Sequence, residues 1–129
     1  MYIIQKQGNF SDSFEIRAND GDSLRITYTL KISSDMIRRF RALQVRIAEI
    51  EKQRKAHGDS AELAEQLGEV IVELYTLVFG EENTQALLAF YESDYIAMIV
   101  DIFPYIQNVV VPELSKYAKS RKKQLLRAR

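Results

Sequence analysis

From Ser23 to Ile32 the chain alternates, with Leu24, Ile26, Tyr28, Leu30 and Ile32 on one side of an extended backbone and Arg25, Thr27, Thr29 and Lys31 on the other. Side chains of a strand point to opposite faces in turn, so this pattern predicts a half-buried strand. Phe14-Glu15-Ile16-Arg17-Ala18 alternates in the same way, and Asn19-Asp20-Gly21-Asp22 joins the two runs. Those four residues tolerate positive φ in a tight turn, so the pair predicts a β-hairpin. Tyr2 to Lys6 is apolar enough for a third strand, set off by the polar Gln7-Gly8-Asn9.

Beyond Ile32 the period changes to that of a helix. Met36, Phe40, Leu43, Ile47 and Ile50 are spaced four, three, four and three apart, which places them on one stripe. Ser33-Ser34-Asp35 offers a hydroxyl cap and a first-turn carboxylate, and the helix should run to about Lys55 before His57-Gly58 ends it. Asp59-Ser60-Ala61-Glu62 opens a second helix with Leu63, Leu67, Val70, Leu74 and Leu77 on its stripe and Ile71 and Val78 widening it. The short link makes the two an antiparallel pair, with Arg54 expected near Glu62 and Arg46 near Glu69. Gly80 closes the second helix, Glu81-Glu82-Asn83-Thr84 opens a short third holding Ala86, Leu87, Leu88, Phe90 and Tyr91, and Asp94 caps a fourth. Pro104 and Pro112 lack an N–H and crowd the preceding turn, which predicts a kink or a split there.

The expected fold is therefore α+β, mainly α, with an N-terminal β-hairpin of two or three strands followed by a bundle of about four helices. At 129 residues the chain suits one domain, which buries roughly two-thirds of its unfolded surface. Within it, residues 1–32 form the hairpin region, 33–115 the helical body and 116–129 a basic C-terminal helix or tail. With no cysteine, neither a disulfide nor a thiolate metal site can hold it together. The first residues do not read as a secretion signal. The most apolar segment, Tyr95 to Val111, is interrupted by Asp101, Pro104, Gln107 and Asn108, whereas a spanning helix needs about 20 predominantly apolar residues. It reads as core, with no membrane involved, and the chain as cytoplasmic.

Charge refines this picture. The net charge is zero, yet residues 1–58 carry eleven basic and seven acidic side chains, residues 59–113 eleven acidic and none basic, and residues 114–129 seven basic and none acidic. Such blocks favour docking of opposite patches, within the fold or between copies, in a salt-sensitive way. Self-association is the expectation.

The sequence carries little that could do chemistry. His57 is the only histidine, which leaves nucleophile–histidine pairs just one residue at a helix end. Glu62, Glu65, Glu69 and Glu73 lie at helical spacing, but a carboxylate metal bundle also needs Glu-x-x-His partners. A solvated helix face explains them better. Asn19-Asp20-Gly21-Asp22 lacks the ligands of a calcium loop, and the five single glycines make no phosphate cradle. No catalytic residue, cofactor or metal is expected. The tail residues Lys116, Lys119, Arg121, Lys122, Lys123, Arg127 and Arg129 could gain counterion-release affinity for nucleic acid, against which stands the acidic block upstream. Among the aromatic side chains, Tyr91, Tyr95, Phe103 and Tyr105 are the candidate partner-binding residues, since rings with an apolar body and a polar tip serve as interface anchors.

Glu73-Leu74-Tyr75-Thr76-Leu77-Val78-Phe79-Gly80-Glu81-Glu82-Asn83, followed by Leu87-Leu88-Ala89-Phe90-Tyr91, Asp94-Tyr95 and Ile102-Phe103-Pro104-Tyr105-Ile106, resembles the small tail assembly chaperones of long-tailed bacteriophages and prophages of Gram-positive bacteria. The likeness covers roughly residues 24–117, centred on a helix ending in Phe-Gly-Glu. It implies a non-catalytic protein of the infected or lysogenic bacterial cytoplasm that binds the long helical tape-measure protein until the tail tube assembles. The alternative from the residues themselves is a small nucleic-acid-binding regulator acting through its basic C-terminal tail.

Overall fold

The computed structural model describes residues 1–4 and 8–127. Strands β1 (Asn9–Arg17) and β2 (Ser23–Lys31) pair antiparallel, Phe14 opposite Ile26 and Asp12 opposite Tyr28. The turn closes as its residues suggest: Ala18 N–H donates to Asp22 O at 2.8 Å, and Asp22 N–H to Asp20 Oδ1 at 3.0 Å. β1 starts five residues before the alternation was legible, because Ser11 and Ser13 face solvent while Phe10 and Asp12 take the inward places. The expected third strand is not formed by Met1–Ile4, which are exposed and outside any strand, and Gln5 and Lys6 lie outside the described residues.

Four helical rods follow: α1 (Ser34–His57), α2 (Ala61–Phe79), α3 (Glu81–Phe90) and a last rod made of α4 (Tyr95–Tyr105), a π-helical turn (Ile106–Val110) and α5 (Val111–Arg127). The architecture is thus α+β, mainly α, as the pattern predicts. The helix starts read at Ser33 and Asp94 are capped as expected, while α2 is capped by Ser60 rather than by Asp59 of the Asp59–Glu62 capping box, Asp59 pairing with Arg54 instead. Ser33 Oγ accepts from Met36 N–H at 3.1 Å, Ser60 Oγ from Leu63 N–H at 3.1 Å, and Asp94 Oδ1 from Ala97 N–H at 3.2 Å; such caps contribute about 1 kcal/mol apiece.

α2 is the central rod. Leu67, Val70, Ile71, Leu74, Tyr75, Val78 and Phe79 are all buried, because α1, α3, α4 and β2 pack around it. The stripe Met36, Phe40, Leu43, Ile47 and Ile50 of α1 is buried entirely, as its spacing requires. Neither expected cross-helix pair forms: Arg46 reaches Glu73, one turn beyond Glu69, at 3.3 Å, and Arg54 pairs with Glu51 of its own helix and Asp59 of the link. Arg54 is taken by Asp59 of the link rather than by Glu62.

The prolines do not split the last rod. Met98, Ile102, Ile106, Val110 and Leu114 form one buried ridge at steps of four, although a four-residue step overshoots an α-helical turn by about 40°. A continuous α-helix would carry this ridge off the core. The π turn, where Val111 N–H donates to Ile106 O, is wider than an α turn and rotates the ridge back. It lies between Pro104 and Pro112, where two α-helical donors are already missing.

Candidate partner-binding surface

The four aromatic candidates are anchors between elements before they are anything else. All are half-buried and pack against the core. Tyr105 enters an aromatic cluster with Phe14 (ring centroids 4.5 Å apart), Tyr28 and Phe79. Its hydroxyl donates to Asp12 Oδ2 and lies 2.7 Å from that of Tyr28. Burial first, and the hydrogen bond to Asp12 second, push the Tyr105 phenol well above its ordinary pKa. Tyr91 donates to Asp101 Oδ2 at 3.0 Å, tying the α3–α4 corner to the next turn of α4, and burial and Asp101 raise its pKa in turn. Tyr95 lays its ring on Gly68 of α2, so closely that a Cβ there would come within 2.4 Å of the ring. The four do not converge on one exposed patch.

The corner that carries Tyr91 and Tyr95 is tight. Glu92 and Ser93 have φ of 51° and 59°, a left-handed region that L side chains enter uncommonly. Asp94 and Asp101 line a shallow hollow with Tyr91 and Arg17, while Tyr105 turns inward to Asp12. Asp94 and Asp101 thus share a hollow that Tyr105 does not line. Among the described residues no group of three or more His, Cys, Asp or Glu side chains could hold a metal ion, and Glu62, Glu65, Glu69 and Glu73 stand on the exposed side of α2.

What is open lies on the other face of α4. Ile96 is 44 % exposed and Val100 66 %, and with half-buried Ile99 and Phe103 they follow the i, i+4, i+7 spacing of one helical face. Of the candidates named from the sequence, Phe103 alone belongs to this stripe and Tyr95 borders it. The stripe was present in the sequence as a second apolar period in Tyr95–Val111, hidden because both faces of α4 are apolar. The helix Tyr95–Arg127 holds an 18-residue window of mean hydropathy 1.4, of which 22 % is buried, so by length and composition alone it could cross a membrane.

A second opening runs between α1 and α2, an apolar groove of about 570 Å³ floored by Ala42, Leu43, Val72 and Leu77 and edged by Arg39, Arg46 and Glu73. At the far end α5 carries Lys119, Lys122, Lys123 and Arg127, none of which makes an ion pair among the described residues. No family model matches the chain, and no curated protein or solved structure matches it.

Proposed function

We propose that this protein is a non-catalytic binding protein, a phage tail assembly chaperone that holds helical segments of the tape-measure protein before the tail tube polymerises. The observation that carries the binding part is the uncovered stripe Ile96–Val100–Phe103 on an apolar helix whose opposite ridge is already committed to the core. Contiguous exposed apolar surface of this kind marks partner sites. Both the stripe and the α1–α2 groove suit an amphipathic helix, which binds by laying its apolar face against another. The tail-chaperone part rests on the sequence resemblance around Phe79-Gly80-Glu81, the turn from which α3 and α4 are set.

Two substitutions test the reading. Ile96→Asp with Val100→Asp should abolish capture of a long helical protein by the tagged chain while leaving its circular dichroism and melting unchanged. Undiminished capture would remove the stripe from the account. A second reading, nucleic-acid binding, is favoured by Lys119, Lys122 and Lys123 of α5, which make no ion pair among the described residues; it requires that affinity fall steeply with salt and vanish on deletion of residues 116–129.

A further inference from the structure

Among the described residues the acidic and basic blocks of the sequence meet inside the fold at only three ion pairs, Arg46–Glu73, Arg54–Asp59 and Lys116–Glu113. On α2, Ala64, Gly68 and Val72 make an apolar trough closed at one side by the Tyr95 ring, with Glu65, Glu69 and Glu73 standing along it. Of these carboxylates only Glu73 has an ion-pair partner among the described residues. Gly68 lets the Tyr95 ring lie directly on α2, so that the ring forms one wall of the shallow trough.

On the last two turns of α5 every residue from Arg121 to Arg127 is exposed. Lys119, Lys122, Lys123 and Leu126 are spaced three, one and three apart, so they share one helical face, and Leu126 is 58 % exposed on it. Glu65, Gly68, Glu69 and Val72 have that same spacing on α2. One face is acidic around a shallow apolar hollow, the other basic around a protruding leucine. The two belong to one chain but do not meet in it, since α5 continues the last rod beyond the π turn and its Tyr117–Arg121 stretch lies beside the start of α1.

We infer that the end of α5 docks in the α2 trough of a second copy, Leu126 entering the hollow beside the Tyr95 ring, over Ala64 and Val72, while Lys119, Lys122 and Lys123 pair with Glu65 and Glu69. The two surfaces differ, so the contact is heterologous: each copy offers a trough and a tail, and copies add head to tail into a ring or an open chain. This deepens the reading above by giving a way for several copies to line one long partner, but it rests on the chain's own surfaces and is tested with no partner present.

The experiment is sedimentation of the purified full chain. At about 0.05 M salt the wild type should sediment as species larger than the 14.9 kDa monomer and dissociate as salt rises to about 0.5 M, where screening shortens the reach of charge. The variant Glu65→Lys/Glu69→Lys presents two basic surfaces, and Lys122→Glu/Lys123→Glu two acidic ones. Each alone should be monomeric at low salt, with unchanged circular dichroism. Mixed in equal amounts they should reassemble, because every trough then meets a tail of opposite sign. A wild type that is monomeric at low salt, a variant that still assembles, or a mixture that stays monomeric would each overturn the pairing.

Discussion

Tyr105 of α4 donates its hydroxyl to Asp12 of β1, 93 residues earlier, and the two are joined by Tyr28 of β2. This is the polar link through which the last helix holds the hairpin, set at the edge of the aromatic cluster of Phe14, Tyr28, Phe79 and Tyr105. Tyr105→Phe keeps the ring and removes the donor to a carboxylate, so it should cost about 1–3 kcal/mol in chemical denaturation. Asp12→Asn, which keeps an acceptor for the same hydroxyl, should cost less. Equal and negligible losses would mean that the ring alone holds the hairpin.

The tyrosines also set a pH dependence. Tyr28, Tyr75, Tyr91 and Tyr105 all have phenols raised above the ordinary value of 10.0, burial being the first cause in each. Below pH 10 folded and unfolded chains both keep these protons. Above it the unfolded chain loses them first, so it binds fewer protons than the folded one and stability falls as pH rises. Denaturation midpoints should therefore decline above about pH 10, and Tyr105→Phe should flatten that decline. A midpoint that held steady or rose above pH 10 would contradict the burial of these hydroxyls.

Gly68 and Tyr95 form a second coupled pair. In an isolated helix alanine is about 1 kcal/mol better than glycine, yet a Cβ at Gly68 would collide with the Tyr95 ring. Gly68→Ala should destabilise by about 1–3 kcal/mol through that overpacking. In a Tyr95→Ala background the same change should stabilise instead. The sign reversal, read from thermal melts, is the signature of direct contact; additive effects would show that the ring moves aside freely.

Tyr91 ties α3 to α4 through Asp101, and the bond is partly open to water. Tyr91→Phe should therefore lower stability by about 0.5–1.5 kcal/mol, without reducing partner capture if the exposed α4 stripe is the binding face. Capture lost out of proportion to melting would return Tyr91 to the binding surface proposed from its chemistry.

Much of this fold was legible because local signals agreed: Leu24 to Ile32 at period two, Met36 to Ile50 at helical period, and caps at Ser33 and Asp94 that both form. Asp12 was not legible as a tyrosine partner, since an acid on the apolar face of a strand is explained only by Tyr28 opposite it and Tyr105 brought in from afar. The continuity of the last rod is hidden in the sequence for a related reason. Pro104 and Pro112 are strong local breakers, and only the need to keep Met98, Ile102, Ile106 and Val110 on the core shows why a π turn carries the helix through. The candidate aromatics were chosen by chemistry rather than by face, so side chains that brace the fold were grouped with Phe103, which does lie on the open stripe.

The account turns on whether that stripe of α4 binds a long helical protein, and an affinity pull-down measures it most directly. The tagged wild type and the Ile96→Asp/Val100→Asp variant are recovered from induced lysogenic cells after nuclease treatment, and the bound proteins identified by mass spectrometry. The account predicts a very long, helix-rich phage tail protein with the wild type and its absence with the variant. Equal recovery by both, or nucleic acid as the sole ligand when nuclease is omitted, would contradict it.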